Sequence, residues 1–430
     1  MKYNKLNSFF YIRNRERLVK RLRAGSVAII NSNDQMPRNG DQFFKYRQNS
    51  DLFYFTGIEQ EETILLLSKQ PDNTTDEFLF ILKPNAEKEI WEGKKLTIDE
   101  ATNLSGIRQV MYQDNFKQKL SGLIKPDTII YYNSNENKRF KTEVPYRDLR
   151  IYQWLEKEYP GNPKEKLAPD IEKLRIIKST EEIEMMSRAC QITKEGFLTV
   201  LNKVKPGMYE YEVEAILTGE FLRNGASGHA YEPIVATGKN ACVLHYTTND
   251  CILQDSDLLL IDFGAEYGNY AADCTRTIPV NGRFTPRQKQ LYNATLDIMK
   301  ESTRLLVPGT TLNKVQEQVC RLWEKKHIEC GLYTNDDLLK QTSENNLVST
   351  YFMHGVSHFI GLDVHDIGSK DQPLEPGMTV TFEPGIYIRS ENIGIRLETN
   401  LLIQENGAID LMKDIPVECN EIEQLMKKTL

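Results

Sequence analysis

An internal duplication in the second half of the chain constrains the fold more than any other feature of the sequence. The segment VKPGMYEYEVEAIL at 204–217 resembles LVPGTTLNKVQEQV at 306–319, at an offset of 102 residues. Each copy follows a long helical pattern and precedes another. Because there are only two copies, the pattern predicts a duplicated half-domain and not a solenoid.

Each half then delivers apolar strands in a hairpin pattern. The first is DSDLLLIDFGAEYGNYAADCTRTIPV at 255–280, and the second is GMTVTFEPGIYIRSENIGIRLETNLLI at 377–403. If a pseudo-two-fold axis relates the two halves, the hairpins face each other across one sheet or cleft. Such a place suits a shared functional site.

The first portion of the chain has a different pattern, in which helical segments alternate with short β-rich runs at 26–32, 63–68, 77–84 and 128–133. This alternation predicts an α/β domain. A polar segment with three prolines, at 159–170, separates it from a helix that we expect to begin after Ser179, with Glu182 completing a capping box. The predicted domains are therefore 1–170 and 171–430, as a chain of 430 residues favours.

Paired carboxylates occupy the two predicted hairpins. If residues 266–269 form a four-residue turn, Asp262 falls directly opposite Asp273, and a turn at 389–392 places Glu383 opposite Glu398. Directly opposite side chains lie on the same face about 4.5 to 5.5 Å apart, so each pair brings two like charges together. Because the strands are otherwise apolar, a bound cation is the simplest compensation.

Two other readings of these acids stay open from the residues alone. Each acid taken singly is compatible with a solvated position on an edge strand. A shared-proton dyad or a glycosidase pair needs two carboxylates, whereas this chain has four. Four acids in two symmetric pairs favour two metal ions.

Histidines cluster between the hairpins, because three of the six in the chain fall in HGVSHFIGLDVHD, at His354, His358 and His365. His245, just before the first hairpin, is a further candidate. Imidazole serves as a metal ligand, an acid or base, or a hydrogen-bond partner, and spacing does not apportion these roles. Cys274 beside Asp273 is expected to point to the opposite strand face, which favours packing over nucleophilic catalysis.

Charge and cysteine content narrow the partners and the compartment. The net charge is −7 and basic residues are scattered among acidic ones, so we expect no nucleic-acid partner. The start of the chain lacks the pattern of a signal peptide, and no run of about 18 apolar residues predicts a membrane span. The seven cysteines show no Cys-x-x-Cys pair. We therefore expect a cytoplasmic protein.

Four segments of the second domain resemble the pita-bread metallopeptidases, in the order that the family has them. They are IDFGAEYGNYAADCTRT, HGVSHFIGLDVHD, EPGMTVTFEPGIYI and GIRLETN. The resemblance implies an α+β pita-bread catalytic domain, with a duplicated half-domain and an antiparallel sheet covered by helices, preceded by the smaller α/β domain. It also implies that Asp262 and Asp273 hold one metal ion, His358 and Glu383 hold the other, and Asp273 and Glu398 bridge them.

The implied ligand shell is rich in oxygen and contains one imidazole. Such a shell favours manganese over zinc as the pair of divalent ions. The segment GIRLETN departs from the family, which more often has an acidic residue where this chain has Thr399. This departure affects the surroundings of the bridging glutamate and not the ligand itself.

The first domain narrows the choice within the family. FKYRQNSDLFYFTG at 44–57 and EIWEGKKLT at 89–97 resemble the amino-terminal domain of the aminopeptidase P group. In that resemblance Trp91 reaches the cleft of a neighbouring subunit, which implies a homodimer or a homotetramer. The implied activity is release of the first residue from peptides with proline in second position, by attack of a hydroxide that bridges the metals.

The same resemblance implies roles for the remaining candidates. Glu383 accepts a proton, and His365 and His245 hydrogen-bond the substrate or the oxyanion. His354 and Tyr387 line the proline pocket, while Arg396 either orients Glu398 or meets a substrate carboxylate. The alternatives are a prolidase that cuts only X-Pro dipeptides and, less favoured, a pita-bread protein that binds peptides or proteins without catalysis.

Overall fold

The chain divides into two units at the end of a helix. The computed structural model describes residues 3–137, 140–342 and 346–427. One unit is Lys5–Arg175, and the other is Ile176–Leu430 together with Met1–Asn4. The boundary that the prolines predict, after residue 170, falls within the last helix of the first unit, Ala168–Arg175.

The first unit is an α/β domain. Its helices are α1 Ser8–Arg21, α2 Ser50–Thr56, α3 Ala86–Glu92, α4 Ile98–Ser105, α5 Phe116–Leu123, α6 Arg147–Glu158 and α7 Ala168–Arg175. Its strands are β1 Ser26–Asn31, β2 Pro37–Asn39, β3 Gln42–Phe43, β4 Ile64–Lys69, β5 Thr75–Ile81, β6 Gln109–Tyr112, β7 Ile129–Tyr132 and β8 Lys164–Lys166.

All four β-rich runs that the sequence predicts become neighbours in one sheet. The strand order is β6-β5-β4-β1-β7-β8. Strand β1 is antiparallel to β4 and parallel to β7, so the sheet is mixed. One face of this sheet packs with Phe116, Leu120 and Leu155 from the helices. Residues of the other face, such as Leu65 and Leu79, are buried as well. Burial on both faces explains why these strands carry continuous apolar runs.

The second unit contains the duplication. Its helices are α8 Thr180–Lys203, α9 Glu210–Arg223, α10 Pro286–Ser302, α11 Leu312–Glu329, α12 Asn335–Leu339, α13 Leu347–Tyr351 and α14 Cys419–Lys427. Its strands are β9 Gly228–His229, β10 Ile234–Thr237, β11 Leu258–Phe263, β12 Ala265–Tyr267, β13 Tyr270–Ala271, β14 Cys274–Pro279, β15 Thr379–Phe382, β16 Gly385–Ile388, β17 Ile393–Arg396, β18 Thr399–Gln404 and β19 Gly407–Asp410.

The repeated segments occupy equivalent places, which confirms the predicted duplication. Each forms the turn between two long helices, α8 and α9 in one half and α10 and α11 in the other, and α9 and α11 begin at Glu210 and Leu312. The named strand pairs among the described residues of this unit are all antiparallel. Apolar side chains of both helix pairs and both strand systems belong to one buried core.

Helix α8 begins after Ser179, as its sequence predicts. The Ser179 backbone N–H donates to Oε2 of Glu182 at 2.9 Å, which is one half of a capping box. Glu182 is buried and also accepts a hydrogen bond from the Tyr270 hydroxyl at 3.1 Å. The first turn of this helix therefore fixes the hairpin that carries the first acidic pair.

Within the described residues, no helix combines the length and the apolar character that a membrane crossing requires.

Candidate metal centre

In the first acidic hairpin, the strand register differs by two residues from the predicted one. Asp262 lies opposite Thr275, so the prediction that it lies directly opposite Asp273 is wrong. The chain reverses through only Gly268 and Asn269, with φ of 58° and 68°. Two successive positive φ values define the tight two-residue hairpin turn that matches strand twist, in place of the predicted four-residue turn.

The two aspartates nevertheless share a face. A register shift of two residues keeps every side chain on its original side of the sheet, because side chains alternate with a period of two. The Tyr231 hydroxyl lies 2.6 Å from Oδ1 of Asp262 and 2.6 Å from Oδ1 of Asp273. The two carboxylates therefore converge on one point, although they are diagonal and not direct neighbours.

The second acidic hairpin has the predicted register. Phe382 pairs with Thr399 on one side and Gly385 pairs with Arg396 on the other. Both ladders have the same register, and it places Glu383 opposite Glu398. This prediction is confirmed.

Three of the predicted ligands leave the backbone where the strands are interrupted. Asp273 lies between β13 and β14, Glu383 lies between β15 and β16, and Glu398 lies between β17 and β18. Gly264 allows the first interruption, because a Cβ at this position would lie 1.8 Å from the carbonyl oxygen of Ala272. Such interruptions redirect side chains and are frequent next to active sites.

The predicted ligands come together in the folded chain. One ligand atom each from Asp273, His358 and Glu398 lie within 4.8 Å of one another. The Nε2 atom of His358 lies 3.4 Å from Oδ2 of Asp273 and 3.6 Å from Oε1 of Glu383. Asp262 joins the group through the shared contact with Tyr231. Asp273 and Glu398 are buried, and the Glu383 side chain is 17% exposed.

Crowding of like charges changes the protonation of this group. Burial raises the pKa of Glu383 to about 7, and the charges of Asp273 and Asp262 add to the rise. Burial and the charges of Asp273 and Glu383 raise the pKa of Glu398 well above its usual range. The pKa of Asp262 is also raised by burial, although Arg396 opposes the rise. Without added positive charge, the cluster favours protonated carboxyls.

His358 shifts in the direction that supplies positive charge. Burial opposes protonation of its ring, yet the hydrogen bond to Asp273 and the charge of Glu383 raise its pKa. One imidazolium and the guanidinium of Arg396 do not balance four carboxylates. A donor set of buried carboxylates with one imidazole therefore fits divalent cations, which compensate the charge that the fold concentrates here.

Arg396 connects several groups around the site. Its Nη2 donates to Oδ2 of Asp262 at 2.7 Å, and its Nη1 donates to the Tyr387 hydroxyl at 2.9 Å. Its Nε donates to Oγ1 of Thr275 at 3.1 Å, and that hydroxyl donates to Oε2 of Glu398 at 2.7 Å. The buried guanidinium therefore holds Asp262 directly and reaches Glu398 through Thr275.

His354 ends a chain of hydrogen bonds that begins at Arg396. The Tyr387 hydroxyl accepts from Arg396 and lies 2.7 Å from Nε2 of His354. The Nδ1 atom of His354 lies 3.0 Å from the carbonyl oxygen of Gly355 and 3.5 Å from Oε2 of Glu383. Burial, with the charge of Arg396, lowers the pKa of His354 to about 3, so the ring is neutral with its proton on Nδ1.

The other predicted site residues lie at the edge of this group or away from it. His365 is exposed, and its ring stands nearly perpendicular to that of His358 at a centroid distance of 4.5 Å. His245 is exposed and close enough to His354 for its charge to lower the pKa of that ring. Trp91 lies on α3 of the first unit and is 88% exposed.

Sequence reasoning missed three polar residues that hold the ligands. Tyr231 bridges the two aspartates, and Thr275 donates to Glu398. Asn400 accepts a hydrogen bond from the backbone N–H of Asp273 and donates one to its carbonyl oxygen. Thr275 follows Asp273 by two positions, so strand alternation alone would have placed it on the same face. Tyr231 carries no comparable signal, because it reaches the site from a segment that precedes β10.

We expect Arg396→Lys to lower kcat/KM by about 10- to 100-fold. A lysine ammonium group lacks the planar guanidinium whose separate N–H groups reach Asp262, Tyr387 and Thr275 together. Steady-state kinetics on the metal-loaded protein measure this effect. Arg389→Lys, at an exposed position in the turn of the same hairpin, is the matched control and should leave kcat/KM unchanged. Equal activity in both variants would show that the guanidinium group of Arg396 is not needed.

Comparison with known sequences places the chain in a family. A profile of metallopeptidase family M24 matches residues 184–405, more than half of the chain. The chain belongs to metallopeptidase family M24. A second profile, of the aminopeptidase P amino-terminal domain, matches residues 11–131. This M24 chain is therefore a hydrolase, and the predicted pita-bread domain with its smaller α/β domain is confirmed.

Relatives of this M24 chain match nearly its whole length. It is 36% identical to the Xaa-Pro aminopeptidase of Escherichia coli K12, with 96% of each chain covered. It is 29% identical to human Xaa-Pro aminopeptidase 3, covering 93% of this chain and 80% of that protein. The structure of zinc-substituted E. coli aminopeptidase P in complex with product superposes with a TM-score of 0.90 at 34% identity, covering 99% of this chain and 100% of that one.

Proposed function

We propose that the chain is a metal-dependent Xaa-Pro aminopeptidase, which releases the first residue of peptides that have proline in second position. The observation that carries this proposal is the convergence of buried carboxylates and His358 in a chain similar to the E. coli enzyme along 96% of its length. The chain also contains both domains that the family profiles describe, the M24 domain and the aminopeptidase P amino-terminal domain.

Five side chains would hold the metal ions. Asp262 and Asp273 would hold one ion, His358 and Glu383 would hold the other, and Asp273 and Glu398 would be ligands of both. The donor set of four carboxylates and one imidazole favours manganese. Bound divalent ions supply Lewis acidity, which activates a water molecule and polarises the scissile carbonyl.

Glu383 is the proton acceptor in this proposal. A general base has to lie within reach of the proton that it takes, and Oε1 of Glu383 lies 3.6 Å from Nε2 of His358, among the side chains that would hold the ions. Oε2 of Glu383 lies 3.5 Å from Nδ1 of His354, which carries the ring proton, so this imidazole faces the carboxylate as a donor.

The histidines and Tyr387 position the substrate. His354 and Tyr387 form the wall of the proline pocket, and their mutual hydrogen bond fixes both rings. His365 and His245 are exposed and hydrogen-bond the substrate or the oxyanion. Proline lacks an amide hydrogen and has a fixed φ, so a peptidase that accepts it benefits from a shaped pocket in place of strand-like binding.

Assembly and location complete the proposal. Ile90 and Trp91 on α3 are 82% and 88% exposed, and no side chain of this helix is buried within the chain. We infer that a second copy covers them in a homodimer or homotetramer, because large exposed apolar side chains mark interaction surfaces. All seven cysteines are free, which favours the cytoplasm. Trp91→Ser should lower the mass measured by light scattering.

A comparison of three small substrates tests the activity. The manganese-loaded protein should hydrolyse an X-Pro-Y tripeptide at least about 100-fold faster than X-Ala-Y, since alanine would leave the place of the proline ring unfilled and lose its contacts. Hydrolysis of X-Pro alone, without X-Pro-Y, would establish a prolidase and contradict the proposal. Bound metal without hydrolysis of any of the three peptides would favour a binding module.

A further inference from the structure

A buried carboxylate outside the metal centre holds both ends of the segment that carries His245. Glu210 is the first residue of α9 and is fully buried. One of its oxygens, Oε1, accepts from the Thr237 backbone N–H at 2.7 Å and from Nδ2 of Asn240 at 3.3 Å. The other, Oε2, accepts from the Tyr246 hydroxyl at 2.7 Å and from the Cys251 backbone N–H at 3.0 Å.

These four donors bracket His245 in the sequence. Two precede it, at Thr237 and Asn240, and two follow it, at Tyr246 and Cys251. A single carboxylate therefore closes the segment 237–251 into a loop, the His245 loop. The side chain of His245 is exposed at its outer edge. The position at the first turn of a helix favours the negative charge that four donors require.

A second contact of the same kind lies one helical turn further along α9. Nδ2 of Asn249 donates to Oε2 of Glu214 at 2.9 Å, and Oδ1 of Asn249 accepts from the Val235 backbone N–H at 3.0 Å. Asn249 is buried and has a φ of 49°, a conformation that its polar side chain tolerates. The loop is therefore fixed at two adjacent points of one helix.

The loop also packs against the proline-pocket side of the site. Leu244 and Tyr246, which flank His245, contact an apolar cluster that contains Tyr387. Movement of the loop would therefore change the position of His245 relative to Tyr387 and its hydrogen-bond partner His354.

Glu210, Asp250 and Cys251 also lie close enough together to resemble a metal site. Both oxygens of Glu210 already accept two hydrogen bonds each, so a cation would have to displace strong donors. The arrangement has the features of a structural clamp on a loop and not of a second metal centre.

We propose that Glu210 is a positioning residue for the aminopeptidase reaction, which acts by holding His245 at the substrate. This inference rests on the role proposed above for His245. Glu210 touches neither the metal ligands nor the substrate, so its effect on catalysis passes through the loop that it clamps.

A double-mutant cycle tests this dependence. Glu210→Gln keeps the size of the side chain but turns two acceptor sites into donors that face the donors of the loop. We expect kcat/KM for X-Pro-Y to fall by about 10- to 100-fold, mainly through kcat, with unchanged metal content. In the His245→Ala background the same substitution should cost less than about threefold, because coupled residues are not additive.

Glu212→Gln is the matched control. Glu212 lies on the same helical turn and accepts from the backbone N–H of Tyr209, outside the His245 loop. It should leave kcat/KM unchanged, although it weakens the same helix. If Glu210→Gln fails to fold, Tyr246→Phe removes a single donor and should give a smaller loss with the same dependence on His245.

Each outcome decides the proposal. Unchanged activity in Glu210→Gln and Tyr246→Phe, or losses that multiply with His245→Ala, would overturn the positioning role. So would an active His245→Ala protein, since Glu210 would then have no residue to act through. Failure of the wild-type protein to cleave X-Pro-Y would overturn the proposed function instead. In that case, amide hydrogen exchange of the His245 loop tests whether Glu210 holds it. If Glu210→Gln leaves the exchange rates of residues 237–251 unchanged, Glu210 does not hold the loop.

Discussion

Replacing Glu383 with alanine is expected to lower kcat for an X-Pro-Y tripeptide by at least about 1,000-fold. The change removes a proposed metal ligand and the proposed proton acceptor together. Loss of a general base alone costs about 100- to 10,000-fold. Steady-state and single-turnover assays with saturating manganese measure the effect, and metal analysis separates loss of the ion from loss of the base.

Glu391→Ala is the control for this experiment. Glu391 lies in the turn of the same hairpin, and its carboxylate forms a surface ion pair with Arg287 at 2.6 Å. Such a pair contributes only about 0 to 1 kcal/mol, so its removal should leave kcat unchanged. Activity of the Glu383→Ala protein within tenfold of the control would exclude Glu383 from both roles.

The second large effect concerns the stability of the metal-free protein. Removing the charge of Glu383 is expected to raise this stability, although it lowers activity. The pKa of Glu383 rises from 4.5 to about 7 on folding. Between these values the folded state binds a proton that the unfolded state has released, so stability falls as pH rises through this window. Above pH 7 the full cost is present, on the order of 3 kcal/mol.

Glu383→Gln should therefore stabilise the metal-free protein at pH 8 by about 3 kcal/mol relative to wild type. The difference should vanish below about pH 3.5, which is about one unit under the unfolded-state pKa of 4.5, because the wild-type carboxyl is then protonated in both states. Denaturant unfolding of chelator-treated proteins at a series of pH values measures it. If Glu383→Gln is less stable than wild type throughout, the carboxylates do not repel one another in the folded chain.

Taken together, the two expectations describe one compromise. The fold concentrates four carboxylates, and the charges of Asp262, Asp273 and Glu383 add to the burial that raises the pKa of neighbouring carboxyls. This arrangement lowers the stability of the metal-free chain. The same arrangement creates a strong site for divalent ions. Stability is often lower at sites that function requires.

The strand and helix framework was predictable because its signals are local. The apolar runs in the first unit became β1, β4, β5 and β7, and the repeated turns became the helix junctions before α9 and α11. The second hairpin register also followed from its turn. The first did not, because the reversal uses Gly268 and Asn269 alone, and the sequence Tyr-Gly-Asn-Tyr does not distinguish a two-residue turn from a four-residue one.

The side chains that support the ligands were not predictable in the same way. Tyr231 and Glu210 are polar residues without a motif, and each acts on residues that are distant in sequence. Arg396 lies in the segment GIRLETN and was expected near Glu398, but its contact with Asp262 was not. Their partners become apparent only when the strands and the His245 loop pack together. The histidine motif was a better guide, since His354 and His358 both reach the carboxylates, and the part that His365 takes stays a prediction.

Titration of the metal-free protein with manganese, followed by X-Pro-Y hydrolysis, tests the central claim most directly. If Asp262, Asp273, His358, Glu383 and Glu398 form one centre for two ions, activity should be absent without metal. It should rise to its maximum at about two ions per chain. Full activity in the chelated protein, or no bound manganese at saturation, would contradict the account.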